Sequence, residues 1–119
     1  MEIAPFDNRE GFIWMNGEFI KWNDAKCHVI TQGLHYASAV FEGERAYKGK
    51  IFKSEEHTKR LFRSAEIVGI KIPYSQSQIN EAKDELIKKM NFEDRLINFR
   101  RLNLSDDSIK KVSHYFCFF

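Results

Sequence analysis

Phe12-Ile13-Trp14-Met15-Asn16-Gly17-Glu18-Phe19-Ile20-Lys21-Trp22 is the stretch on which the fold turns. Its two arms are aromatic and β-branched. Asn16-Gly17 between them supplies the residues that best tolerate positive φ, so residues 12–22 are expected to form a β-hairpin closed by a type I′ turn. Asn23-Asp24 then breaks the pattern, and residues 28–37 fit neither a helical nor a strand period. Ser38 to Tyr47 is rich in Val, Phe and Tyr and is expected to be a strand, which Lys48-Gly49-Lys50 turns into Ile51-Phe52. Ser54 is placed as a helix N-cap, with Glu55 and Glu56 favourable against the positive end of the helix. Leu61, Ala65 and Val68 give that helix a buried stripe, Gly69 a C-cap and Pro73 a stop. A second helix is expected over 78–91, with Ile79, Ala82, Leu86, Ile87 and Met90 on one face and Glu85 ahead of Lys88 and Lys89. Hairpin, strand, helix, helix describes an α+β fold: a small antiparallel sheet with two helices packed on one side.

Composition bounds the function classes. A chain of 119 residues makes one domain, with a modest core. Nineteen basic against 17 acidic residues leave a net charge of +2, which argues against a dedicated nucleic-acid binder. No apolar run approaches the ~20 residues of a membrane helix. The start, MEIAPFDNRE, lacks the apolar core of a secretory signal. Two cysteines, Cys27 and Cys117, are too few for a disulfide scaffold or structural zinc, and the four His are too scattered for a metal site. A cytoplasmic setting is expected. The charge is uneven: residues 1–94 carry a net −1 and residues 95–119 a net +3. The tail ends in Tyr115-Phe116-Cys117-Phe118-Phe119, unusually apolar for a free terminus.

Strand alternation puts Phe41, Gly43, Arg45 and Tyr47 on one face and Val40, Glu42, Glu44 and Ala46 on the other. The first face joins an aromatic wall, a missing side chain and a cation. Glycine inside a strand often marks close approach of a ligand, and Arg45 beside that gap could take a carboxylate in bidentate fashion. The alternative is a bulge at Gly43 with Arg45 in solvent. On the first helix, His57, Arg60 and Ser64 share a side bordering the apolar stripe. Arg60 there could hold a phosphate, or the three could form a solvated basic face. His35 and Tyr36 have no readable partner. No P-loop, G-x-G-x-x-G or nucleophile-elbow pattern is present.

Three segments in order carry a family resemblance: Ile13-Trp14-Met15-Asn16-Gly17-Glu18; Leu34-His35-Tyr36 followed by Val40-Phe41-Glu42-Gly43-Glu44-Arg45-Ala46-Tyr47; and His57-Thr58-Lys59-Arg60-Leu61. Residues 13–94 thereby resemble the N-terminal small domain of the fold-type IV (class IV), pyridoxal-phosphate-dependent aminotransferases, nearest to their branched-chain-amino-acid branch. The resemblance implies that Arg60 binds the phosphate of pyridoxal 5′-phosphate, and that Phe41, Gly43 and Arg45 shape the substrate pocket. It implies that Tyr36 reaches toward an active site, in some members that of the partner subunit of a dimer. Glu42 is expected to be structural. The implied chemistry is amino transfer between leucine, isoleucine or valine and 2-oxoglutarate, with the cofactor as electron sink. D-amino-acid aminotransferase and aminodeoxychorismate lyase typically differ near Phe41-Glu42-Gly43, which makes a sister enzyme the weaker alternative.

The tail departs from the resemblance. An intact member is roughly two to three times longer, with the Schiff-base lysine in a second domain of ordinary size. An aromatic-x-Arg-Pro strand is expected soon after Asp94, where the chain reads Arg95-Leu96-Ile97-Asn98-Phe99-Arg100-Arg101. The only later lysines are Lys110 and Lys111. The sequence therefore predicts a small domain over 1–94 and a divergent tail over 95–119, from a frameshift or premature end. No catalytic residue is assigned, cofactor uptake is in doubt and the chain is expected to be inactive alone. A noncatalytic remnant that binds ligands, or that pairs with itself or a full-length subunit, is the other reading. Exposure of a former domain interface would make such a chain marginally stable or aggregation-prone.

Overall fold

The computed structural model describes residues 8–90. The tail at 95–119, with Lys110, Lys111 and the terminal aromatics, and the expected last helical residue at 91 lie outside the described residues. The hairpin forms as expected. β1 (Phe12–Met15) pairs antiparallel with β2 (Glu18–Lys21), Trp14 opposite Phe19. Asn16 and Gly17 both have positive φ, 52° and 91°, which the two-residue turn requires. Space is tight there as well: a Cβ on Gly17 would come within 3.3 Å of the Tyr74 hydroxyl. A 3₁₀ turn over Trp22–Asp24 and a single turn of helix, α1 (Gln32–His35), follow.

The expected strand over Ser38–Tyr47 is largely absent. Only β3 (Ala46–Tyr47) forms a ladder, with β4 (Lys50–Ile51) across a turn at Lys48-Gly49. A strand persists only where a neighbour accepts its hydrogen bonds, and β4 offers two residues of pairing. Residues 37–45 run without a ladder, entered at Ala37 with φ 53°. Even so, exposure alternates along the run. Phe41, Gly43, Arg45 and Tyr47 are exposed, Glu44 and Ala46 buried, and Val40 and Glu42 intermediate. The single sheet expected is thus two separate two-stranded ladders.

Two helices complete the domain. α2 (Ser54–Ile67) has Lys53, in the left-handed conformation, as its N-cap. Ser54 is the first helical residue and not the cap, and its hydroxyl finds no described partner. The C-terminus is a Schellman motif: Gly69 at φ 73° donates its N–H to Glu66 and Ile70 donates to Ala65. Thr58, Leu61 and Ala65 form the buried stripe, while Val68 is 55% exposed because the helix has already ended there. α3 (Gln76–Met90) starts two residues before the expected 78. Its capping box is Ser75 with Gln78: the Gln78 N–H donates to Ser75 Oγ at 3.2 Å, and the Ser75 N–H to Gln78 Oε1 at 2.8 Å.

α3 is the central element, packed against α2, β1 and β4. One cluster joins Trp14, Ile79 and Ala82, flanked by Phe19, Phe62 and Tyr74. Trp14 and Tyr74 meet edge to face, centroids 4.9 Å apart, an arrangement that adds ~1 kcal/mol to the area they bury. A second cluster joins Ala46 and Ile87, with Ile51 and Met90 against it. Lys89 lies over the rings of Phe12 and Phe19 at 5.5 and 5.2 Å, a cation covering the hairpin's apolar edge. No described helix is long and apolar enough to cross a membrane.

Candidate functional site

The irregular run 40–45 lies against the helices through its inward carboxylates. Glu42 reaches the first half of α2. Its Oε1 accepts from Arg60 Nε at 2.5 Å, and its Oε2 accepts from Arg60 Nη2 at 2.6 Å, the bidentate geometry that suits a planar guanidinium. The same Oε2 lies 2.8 Å from His57 Nδ1. A carboxylate only accepts, so Nδ1 carries the proton of this contact and Nε2 is the ring's other nitrogen. The 3.3 Å approach of Arg60 Nη2 to that Nδ1 then sets two donors side by side, both aimed at Glu42.

Exposure differs sharply among the three. The Glu42 side chain is 9% exposed, His57 21% and Arg60 64%. The guanidinium holds its Nε–Nη2 edge against Glu42 while much of the group stays in water. Arg60 holds the Glu42 carboxyl below its ordinary pKa, against a desolvation that pushes upward and with further help from His57. The pairing raises the Arg60 pKa in return.

Two residues on, Glu44 is buried and ion-paired with Lys83 of α3 at 2.5 Å, with side chains 3% and 1% exposed. Lys83 Nζ also donates to Thr58 Oγ1 at 2.7 Å and to the Ser54 carbonyl at 3.3 Å. Thr58 Oγ1 hydrogen-bonds Asn80 Oδ1 and the Ser54 carbonyl, so α2, α3 and the 40–45 run share one polar knot.

The expected site residues are not gathered into one closed pocket. Tyr36 is 77% exposed and Phe41 88%. Tyr36 touches His35, ring centroids 6.1 Å apart. Gly43 has no atom within 4 Å of where a Cβ would sit. Arg45 is exposed and makes no side-chain hydrogen bond or ion pair among the described residues. Arg60 and His57 meet as the helical spacing suggested, and Ser64 does not join them. The residue that sequence reasoning undervalued is Glu42. Part of the signal was present: alternation put Glu42 and Glu44 on one face with Val40 and Ala46, the face that the structure turns inward, and two inward carboxylates need cations. Lys83 was also readable, four residues after Ile79 on the buried face of α3.

An Arg with one edge fixed and the rest in water suits the terminal oxygens of a phosphate. No group of three or more described His, Cys, Asp or Glu side chains could hold a metal.

The model of the amino-transferase class IV family matches residues 39–115, a span that includes Glu42, Glu44, Arg60 and Lys83 and continues past the charge step near 95. The chain is 47% identical over 91 residues to the Rickettsia bellii protein named "Probable branched-chain-amino-acid aminotransferase", covering 76% of this chain and 32% of that one. Among solved structures it is similar to the branched-chain amino acid aminotransferase from Escherichia coli (TM-score 0.67, 41% identity, 70% of this chain and 30% of that one). It is also similar to the branched-chain aminotransferase from the thermophilic archaeon Thermoproteus uzoniensis, solved with norvaline (TM-score 0.65, 31% identity, 69% of this chain and 29% of that one). The chain thus spans about a third of the length of the relatives it matches.

Proposed function

The chain belongs to the amino-transferase class IV family, and from that premise we propose that it carries the small-domain half of a branched-chain-amino-acid aminotransferase site. The reaction is amino transfer between leucine, isoleucine or valine and 2-oxoglutarate, in the cytoplasm, where the exposed Cys27 thiol stays reduced. Arg60 takes the phosphate of pyridoxal 5′-phosphate, a cofactor that serves as an electron sink when bound. Phe41, Gly43 and Arg45 form the wall that faces substrate, the aromatic ring for an aliphatic side chain and the guanidinium for a carboxylate. Tyr36 extends toward the same region or toward a partner subunit's site.

The observation that carries the reading is the state of Arg60: oriented by Glu42 on one edge, 64% exposed, and inside the matched span. Among the described residues the reading assigns no base for the exchange. Removing the substrate α-proton needs a lysine base beside the cofactor. Lys83, the described lysine withdrawn from water, is taken up by Glu44 and Thr58.

Pyridoxamine 5′-phosphate and pyridoxamine test the phosphate role directly, since neither reacts with surface lysines. The chain should prefer the phosphorylated ligand, and Arg60→Gln should erase the preference while leucine–2-oxoglutarate exchange stays at background throughout. A preference that survives Arg60→Gln removes Arg60 from the site.

Residues 95–119 we read as a divergent tail beyond the small domain, although the family match runs on through it to residue 115. Translating the other two frames from the DNA encoding Met90 onward separates the two origins: a frameshift restores an aromatic-x-Arg-Pro strand and a distal lysine in another frame, and finding neither removes the frameshift.

A second reading, a noncatalytic module that pairs with an intact subunit, is favoured by the exposed Val29, Ile30, Leu34, Tyr36 and Phe41. Titration against an intact branched-chain aminotransferase tests it, and the absence of a stable complex rejects it.

A further inference from the structure

We propose that Glu42 is the positioning residue of the phosphate site: its carboxylate locks Arg60 and His57 into one fixed arrangement, so that the guanidinium meets a phosphate monoester already ordered. The inference rests on the reading of Arg60 given above. Arg60 is a long side chain in the first half of α2, mostly in water. Left alone it would sample many rotamers, and binding a phosphate would require ordering it first. Glu42 removes that freedom with two hydrogen bonds on one edge of the guanidinium, through Nε and Nη2. Its Oε2 also takes the Nδ1 proton of His57, which fixes that ring beside the guanidinium and turns Nε2 away from the carboxylate. Nη1 is the guanidinium nitrogen that none of these contacts uses.

A carboxylate so close to an anion site has an opposing effect. Its charge repels the phosphate, by roughly threefold in affinity per charge in water and by less at physiological ionic strength, where such interactions are screened. Ordering one long side chain in advance gains roughly tenfold. For a phosphate with nearly two charges the two effects are close in water, so preorganisation outweighs repulsion at physiological ionic strength, and its margin grows as salt screens the repulsion. That salt signature separates a positioning carboxylate from one that merely competes for the arginine.

The test compares pyridoxamine 5′-phosphate with pyridoxamine on the full chain and its Glu42→Gln variant. Gln keeps the size of Glu but places an amide donor against the donors of Arg60 or His57. At about 0.15 M salt the variant should bind the phosphorylated ligand roughly threefold more weakly, the ordering gain less the screened repulsion, with pyridoxamine unaffected and far-UV circular dichroism unchanged. The ratio of variant to wild-type dissociation constants should rise with added salt. Equal or tighter binding by Glu42→Gln, or a ratio that falls with salt, overturns the proposal. Arg60→Gln keeps the two ideas apart. If that variant loses the phosphate preference and Glu42→Gln does not, Arg60 holds the phosphate and the positioning role fails; if the preference survives Arg60→Gln, the reading of Arg60 fails with it. A second measurement needs no variant. In the unliganded wild-type chain the Arg60 Nε–H should give one slowly exchanging NMR resonance with a contact to the Glu42 side chain, and rapid exchange with water overturns the proposal.

Discussion

Glu42 and Glu44 stand two residues apart on the same inward side of one irregular run, and they end in opposite environments. Glu42 meets a cation that is 64% exposed, whereas Glu44 meets one that is 1% exposed. The first pair sits where salt and protons reach it and where a ligand can share the guanidinium. The second is sealed between two helices, where a charge without its partner cannot be tolerated. Identical chemistry thus does two jobs: one carboxylate tunes a surface group, and the other pins the run to the helices that support it.

The largest break in this contrast is Lys83→Ala. Removing the ammonium leaves Glu44 buried without its cation, at a cost of about 3–5 kcal/mol, and also strips Thr58 and the Ser54 carbonyl of a donor. The expected outcome is loss of the cooperative fold, or a melting temperature lower by roughly 15 °C or more; a melt within a few degrees of wild type would show that the pair is idle. Replacing both partners, Glu44→Leu with Lys83→Met, should return to within about 2 kcal/mol of wild type in denaturant unfolding, because an apolar pair of similar size often replaces a buried ion pair without loss. A double variant no better than Lys83→Ala alone would mean that the polar knot as a whole, and not the unpaired charge, sets the stability.

The surface pair is read through pH. Arg60 and His57 lower the folded-state pKa of Glu42, so its contribution to stability is complete above the unfolded carboxylate pKa and is lost as pH falls through the lower folded value. Thermal melts in acid should decline less steeply for Glu42→Gln than for wild type, with the two slopes alike near neutrality. Parallel curves down to the acid end would place the Glu42 carboxyl in water. The smallest effect is at the residue between the two carboxylates. Gly43 has no neighbour within 4 Å of a Cβ, so Gly43→Ala should hold or raise stability by about 0.5–1 kcal/mol in the melt; a clear drop would reveal a packing constraint on the run.

Elements with a complete local code were legible. Asn16-Gly17 forces a hairpin through positive φ at both residues, and Leu61 and Ala65 of α2 and Ile79, Ala82, Leu86 and Ile87 of α3 are buried where the apolar spacing put them, while Val68 lies exposed beyond the end of α2. The missteps share a cause. Whether Ser38–Tyr47 forms a ladder depends on a neighbour elsewhere in the chain, which composition does not reveal, so residue choice overstated the strand while alternation still assigned its faces. Ser54 looked like a cap, yet left-handed Lys53 took that position and Ser54 turned its carbonyl toward Lys83. At the site, helical spacing joined His57 with Arg60. The partner that unites them arrives from 15 and 18 residues away, beyond any local pattern.

The clear space over Gly43 bears on what the domain gives up. Judged by the described residues alone, an alanine would fit there and would leave the unfolded chain fewer states to lose on folding. Nothing in the domain's own packing asks for a bare backbone at that point. The tolerance of position 43 to larger side chains, measured once for folding and once for ligand binding, therefore separates two demands: a loss in binding alone would mark a surface that something outside these residues covers, and a loss in neither would leave the bare backbone without a task.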